Sequence, residues 1–341
     1  MFAVKIASEM WQFAEETDLY CLFCGEQINT AVDEEKKIQW HSKCIRSFFK
    51  TDRMPDIDVS KSELEALVVK TVNKGLTVPG VQKKLSLHLS QEDGIPRLTM
   101  VDYPTGFILK PQSESFNALP EAEHFVMKLA LKFGIKTAPC GLVRMQDQGD
   151  ETYAYITRRV DRITASGKTK MLAMEDFCQL GRRLTQEKYK SSCEKVGKIL
   201  LQYSSNPIID SSELYMRLLY CYLTGNSDMH LKNFSLIETE PGSRKFVLSP
   251  AYDLLPVNVV MPEDTEETAL PLNGKKRNLT KKDFLTFAEG LGINPVASKK
   301  IMEKYLKLEG MAVDEIDKSF MPDDIKESMA KLMRERFEKL K

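Results

Sequence analysis

The sequence predicts an α+β protein in three parts: a small N-terminal cysteine/histidine module, a strand-rich lobe and a larger helical lobe. Three observations lead there. Between residues 85 and 158, short apolar runs of strand length surround one helical pattern. From Met174 onward most segments repeat apolar residues at three- and four-residue spacing, as amphipathic helices do. Three of the seven cysteines, Cys21, Cys24 and Cys44, lie in the first 44 residues with His41, one of only four histidines. The length of 341 residues suits two domains with an appendage, at about 100–200 residues per domain.

Taken in order, residues 1–55 read as the module: a short helical start, a Cys-x-x-Cys knuckle, a charged turn over 33–37, then Trp40-His41 and a helical stretch through Phe48-Phe49. The polar segment 51–61, with one proline, reads as a linker. The strand-rich lobe, over 56–160, begins with a helical pattern at 62–73 that Lys74-Gly75 ends. Leu85, Leu87 and Leu89 alternate with Ser86 and His88 as a strand does, and further strands are expected at 96–101, 106–110, 140–146 and 152–158. Phe125, Val126, Leu129, Ala130 and Phe133 mark a helix that Gly134 stops. In the helical lobe, over 161–341, helices are expected at 175–181, 187–203, 212–224, 281–291, 296–308 and 323–340, interrupted by a strand pair at 234–238 and 245–248.

Composition excludes several classes. Forty-nine basic and 49 acidic residues cancel, which argues against a protein built to neutralise phosphate backbones, so no direct nucleic-acid contact is expected. No apolar run approaches the ~20 residues of a membrane span, and the acidic N-terminus is unlike a signal peptide. The odd cysteine count, with Cys178 and Cys221 inside helical patterns, suits a reducing cytoplasm rather than a disulfide scaffold.

Cys21-x-x-Cys24 and His41-x-x-Cys44 supply two pairs of soft ligands with sixteen residues between the pairs. Zn²⁺ prefers four such ligands in a tetrahedron, and filling all four positions makes a site structural. Gly25 would permit the tight turn around the ion, and the metal would fold a module too small for its own core. The plainer reading is four unconnected side chains.

The polar loop Asn226-Ser227-Asp228-Met229-His230-Leu231-Lys232-Asn233 follows an apolar helix and precedes a strand. The five-residue spacing of Asp228 and Asn233 resembles the catalytic loop of protein kinases, where a carboxylate orients and deprotonates a hydroxyl and an amide oxygen holds Mg²⁺. Asp253, after the second strand of the pair, would be the further metal-binding carboxylate, brought near Asp228 by a hairpin. Taken alone, either aspartate is more often a turn residue. Lys110 ends an apolar strand, where its charge could meet phosphates, and Glu121 or Glu123 could hold it. Gly75 and Gly80 bracket a loop that could lie over phosphates, although Pro79 removes a donor there. His230 sits two residues after Asp228, where many kinases carry lysine, and either neutralises charge or braces the loop.

The motifs GVQKKLSL, FILKPQ, LPEAEHFVMKLA, YITRRVDR, MEDFCQLG, GNSDMHLKNFSL and SPAYDLLPV together resemble the HipA family of bacterial toxin kinases over residues 62–341. The chain is most similar to its short HipT-type members, some of which open with a similar Cys-x-x-Cys/His-x-x-Cys module. The resemblance implies a bilobal kinase-like fold and an ATP- and Mg²⁺-dependent Ser/Thr protein kinase of a type II toxin–antitoxin system. It implies Asp228 as the catalytic aspartate, Asn233 and Asp253 as Mg²⁺ ligands, Lys110 with Glu123 at the phosphates, and Arg158 to Val160 as an adenine-binding hinge. Thr77, before Gly80, falls where the family autophosphorylates a serine; the HipT-type Ser-x-Ser is here Thr77-Val78-Pro79. The implied substrate is an aminoacyl-tRNA synthetase. The implied partners are a HipB-like helix-turn-helix antitoxin and a small HipS-like protein. A phosphoinositide or small-molecule kinase, or a nucleotide-binding interaction protein with little catalysis, are the alternatives.

Overall fold

The structure, a computed structural model, describes residues 19–29, 32–58, 84–90, 94–99, 106–147, 150–165 and 168–341. Residues 1–18, where the short helical start was expected, the expected helix at 62–73, and the loop with Gly75, Thr77 and Gly80 lie outside these residues. The fold divides into two compact units. One runs to His124 and includes Pro139–Arg159; the other comprises Phe125–Ala138 and Val160–Lys341.

The first unit is built on a six-stranded sheet: β1 (Asp56–Asp58), β2 (Leu85–Ser90), β3 (Arg97–Thr99), β4 (Phe107–Lys110), β5 (Cys140–Asp147) and β6 (Asp150–Arg158), in the order β1-β3-β2-β4-β6-β5. Only the β1–β3 pair is parallel. The alternation read at 85–89 is real at its start: Leu85 and Leu87 are buried while Ser86 faces solvent. The segment expected as a linker contributes β1, a three-residue edge strand too short to show any period.

The cysteine module packs against the β5 edge of this sheet. Its charged turn is a helix, Asp33–Ile38, with acids in the first turn and lysines in the last, matching the helix dipole. A second helix, Ser42–Phe49, buries Phe48 and Phe49. These two rings, with Phe23, Trp40 and Phe107, form one aromatic cluster with centroids 4.7–5.6 Å apart. The Trp40 indole donates to Leu142 O (2.9 Å), and Leu142 N donates to Leu22 O (2.9 Å). Backbone groups at the sheet edge are thus paired by the module rather than left open.

The second unit is mostly helical. Helix Pro207–Leu223 starts on a proline at its first turn, and eleven of its side chains are buried. Helices Cys193–Tyr203, Lys281–Gly290 and Asp323–Leu340 pack around it. Gly197 permits one close approach, since a Cβ there would run into the Leu291 side chain. Strands β9 (Met174–Asp176), β10 (Ser235–Glu238) and β11 (Phe246–Leu248) form an antiparallel sheet in the order β11-β10-β9, and β7 (Arg162–Ala165) pairs with β8 (Lys168–Met171).

Several boundaries differ from expectation. The helix expected from 212 begins at Pro207, because outward-facing Ile208 and Ile209 blur its apolar stripe. The helix expected over 187–203 begins only at Cys193, where Ser192 caps it by accepting from Lys195 N. Residues 188–192 before it are irregular. Helix Glu309–Asp317 follows Pro295–Leu306 without a glycine or proline between them, and the pattern hides the break. No helix among the described residues is long and apolar enough to cross a membrane.

Candidate functional site

The loop after helix Pro207–Leu223 braces itself. Gly225 turns the chain at φ +70°, and a Cβ there would meet Leu332 at 3.0 Å and Asn258 at 3.3 Å. Asn226 is buried and its side-chain oxygen accepts from Asp228 N (3.1 Å). Asn233 then donates its amide nitrogen to Asp228 O (2.8 Å), closing the five-residue span. The half-exposed Asp228 carboxylate is therefore presented from a loop that both flanking amides fix. With its nitrogen engaged, Asn233 has its side-chain oxygen as the acceptor side, the hard ligand type that Mg²⁺ takes.

The expected hairpin is present: β10 and β11 pair antiparallel and return the chain to Tyr252-Asp253. Tyr252 is tied to the loop, its hydroxyl lying 3.0 Å from Lys232 O and 2.5 Å from Ser235 Oγ. Asp253 adopts a left-handed φ of +54°. His230 feels both Asp228 and Asp253, yet burial is the larger influence and holds its pKa below the usual value. That direction disfavours the charged imidazole, which favours bracing the loop over neutralising phosphate. Lys232 is engaged with Asp176 (2.6 Å).

Sequence reasoning missed Tyr189, whose hydroxyl donates to Asp228 Oδ1 (2.6 Å). It also missed Asp264, which accepts from Ser227 Oγ (2.5 Å) beside the aspartate. Neither carries a sequence signal: Tyr189 lies 39 residues from Asp228, in the irregular stretch before a helix.

In the first unit, Lys110 at the end of β4 is buried, and its Nζ lies 2.5 Å from Glu123 Oε1 and 5.2 Å above the Tyr155 ring. Of the two glutamates considered, Glu123 is the partner. Glu121 is half-buried, its Oε2 shielded from solvent without a hydrogen-bond partner, and that desolvation raises its pKa to about 7. Arg158 ends β6 and its guanidinium donates to Phe48 O (3.3 Å) of the cysteine module. Two residues later, at Val160, the chain enters the second unit.

Cys21, Cys24, His41 and Cys44 converge: their ligand atoms all lie within 4.8 Å of one another. His41 Nδ1 is 3.4 Å from Cys24 Sγ and 3.8 Å from Cys44 Sγ. A tetrahedral Zn²⁺ with bonds of about 2.3 Å to sulfur and about 2.05 Å to nitrogen spaces such atoms about 3.6 Å apart. His41 Nε2 lies 3.3 Å from Gln27 O, the backbone partner that fixes a ligating tautomer. The expected turn is there, with Gly25 at φ +75° and its N–H on Cys21 O (2.9 Å). Hydrogen bonding from Cys24 and Cys44 lowers the pKa of Cys21, and hydrogen bonding to Cys21 and Cys24 raises that of Cys44. The donor set could hold a zinc ion.

A strand-rich unit bearing a paired lysine and glutamate, and a helical unit bearing an Asp-x₄-Asn loop, define a kinase-like α+β class. Comparison with known proteins makes this specific. Residues 76–311 match the HipA-like C-terminal domain. A Haemophilus influenzae protein named as a candidate kinase is 27% identical over 304 residues, covering 83% of this chain and 86% of that protein. The Sinorhizobium fredii protein Y4mE, also named as a candidate kinase, is 30% identical over 234 residues, covering 66% of this chain. The chain spans 53% of the length of Y4mE, and the same share of Y4dM from that organism. The solved Shewanella oneidensis MR-1 complex of HipA, HipB and operator DNA contains a chain that superposes with a TM-score of 0.63 at 20% identity, covering 80% of this chain and 70% of its own. The chain belongs to the HipA family.

Proposed function

We propose that this chain is an ATP- and Mg²⁺-dependent serine/threonine protein kinase, the toxin of a type II toxin–antitoxin system. The observation that carries the reading is the loop in which Asn233 closes on Asp228 and presents its carboxylate. In this reading Asp228 takes the proton of an acceptor hydroxyl as its oxygen bonds to the γ-phosphorus of ATP. The bond from that phosphorus to the β–γ bridging oxygen breaks, and ADP leaves. Asn233 and Asp253 would hold Mg²⁺, which supplies positive charge against the phosphates. Lys110, held by Glu123, would bind phosphate, and the backbone at Arg158 to Val160 would bind adenine. His230 would brace the loop, Gly80 would lie by the phosphates and Thr77 would be the autophosphorylation site.

The Cys21, Cys24, His41 and Cys44 set would hold one structural zinc, a feature that favours a short HipT-type member. An aminoacyl-tRNA synthetase is the proposed substrate, and a HipB-like antitoxin with a small HipS-like protein the proposed partners, all in the cytoplasm. The name of the Shewanella complex supports the antitoxin partner.

Two measurements test this. ATP with Mg²⁺ should raise the melting temperature of the wild type and not of Asp253→Ala; no shift in the wild type removes the nucleotide. Expression should arrest growth, and Asp228→Gln should abolish both arrest and phosphate transfer while the fold persists. Undiminished toxicity of that variant would sink the assignment.

A further inference from the structure

The contact between Tyr189 and Asp228 belongs to none of the motifs above. Tyr189 lies between the short turn Thr185–Glu187 and helix Cys193–Tyr203, and backbone as well as side chain attach it to the loop. Leu231 N donates to Lys188 O (3.2 Å), which docks the segment three residues past the aspartate. The Tyr189 ring meets His230 edge-on, with centroids 5.0 Å apart at 78°, and Lys188 Nζ lies over the ring, 4.9 Å from its centroid. Its hydroxyl makes the only hydrogen bond to the Asp228 carboxylate among the described residues, 2.6 Å from Oδ1. Burial and the neighbouring carboxylate keep the phenol protonated at physiological pH, so it acts there as a donor.

A carboxylate on a short side chain rotates about its last bond unless something holds it. A general base must meet its proton at hydrogen-bond distance, and a misplacement of about 1 Å costs about a hundredfold in rate. We propose that Tyr189 is a positioning residue for the phosphotransfer: by occupying Oδ1 it fixes the Asp228 carboxylate and leaves Oδ2 to receive the acceptor proton. The proposal rests on the kinase reading. Tyr189 is 42% exposed, so removing its hydroxyl alone leaves the packing of the ring intact.

The test compares the full-length wild type and Tyr189→Phe for steady-state ADP release from ATP with Mg²⁺. The kcat should fall about tenfold, with KM for ATP within about twofold and the melting temperature unchanged. A merely structural tyrosine would move the melting temperature and KM together, and that result would overturn the proposal. So would a kcat equal to or above that of the wild type, the latter marking the hydroxyl as a competitor for the base. If the wild type neither binds ATP nor releases ADP, the kinase reading falls and takes this role with it. An active wild type matched by Tyr189→Phe removes the role of Tyr189 alone.

Discussion

Asp228 owes its position to the neighbours that brace its loop. Gly225 sets the direction of the loop at a φ that L side chains rarely adopt, and Asn258 N donates to its carbonyl (3.0 Å). Gly225→Ala places a methyl group 3.0 Å from the end of the Leu332 side chain, which can shift, and 3.3 Å from Asn258 Cβ, which is tied down by its hydrogen bonds to Asp264 O and Glu266 O. The left-handed backbone alone costs alanine about 1–2 kcal/mol, and the crowding adds to it. Chemical denaturation should therefore show a loss of about 1–3 kcal/mol, with a fall in ADP release as the loop moves. A variant as stable as the wild type would mean that the loop adjusts freely and does not position Asp228. At this scale the site was only half legible. Asp228, His230, Asn233, Asp253 and Lys110 were named from local pattern along the chain, and resemblance chose Glu123 over Glu121, whereas Tyr189 and Asp264 reach the loop through space.

The cysteine module works as an edge cap for the sheet that carries Lys110 and Arg158. Gly141 on β5 makes room for it: a Cβ there would lie 2.7 Å and 2.8 Å from two carbons of the Trp40 ring and 3.2 Å from Leu22 O. Through Phe48 and Phe49 the module then touches Phe107 at the start of β4, and through Phe48 O it holds Arg158. Gly141→Ala should lower stability by about 1–3 kcal/mol by overpacking, read as a lower melting temperature. If the cluster binds zinc as proposed, elemental analysis of protein purified without chelator should find one zinc per chain. A strong chelator should then lower the melting temperature of the wild type; a metal-free protein of unchanged stability would refute the structural role. The four side chains were readable as a set because two residues separate the members of each pair. The edge contact was not, because Trp40 and Leu142 are 102 residues apart and no local pattern couples them. The strands β2, β4, β5 and β6 followed from apolar period, while β1, with three residues, shows none.

Across the whole molecule equal numbers of acids and bases cancel, so stability against pH turns on the few carboxyls and imidazoles whose surroundings differ from water. Glu121 is the clearest such acid. It stands in the first turn of helix Leu119–Lys132, two residues before the glutamate that pairs with Lys110, and its own Oε2 has no hydrogen-bond partner. Burial raises its pKa to about 7 in the folded chain, against about 4.3 in an unfolded one. Between those values the folded state holds a proton that the unfolded state has released, so the contribution of Glu121 to stability is fully present below about pH 4.3 and is lost as pH rises through about 7. His230 has the opposite sense: its lowered folded pKa contributes stability above the ordinary histidine value that disappears on acidification. Asp283, held low by hydrogen bonds from Asn273, Lys275 and Thr280, likewise loses its contribution in acid. Comparing the wild type with Glu121→Gln cancels the latter two. The glutamine variant should melt at the same temperature as the wild type near pH 4.5 and at a higher temperature at pH 8, with the gap opening between. A gap that stays constant from pH 4.5 to pH 8 would show that the Glu121 carboxyl titrates in the fold as it does in the open chain, and that its burial leaves the ionised form no worse solvated than water does.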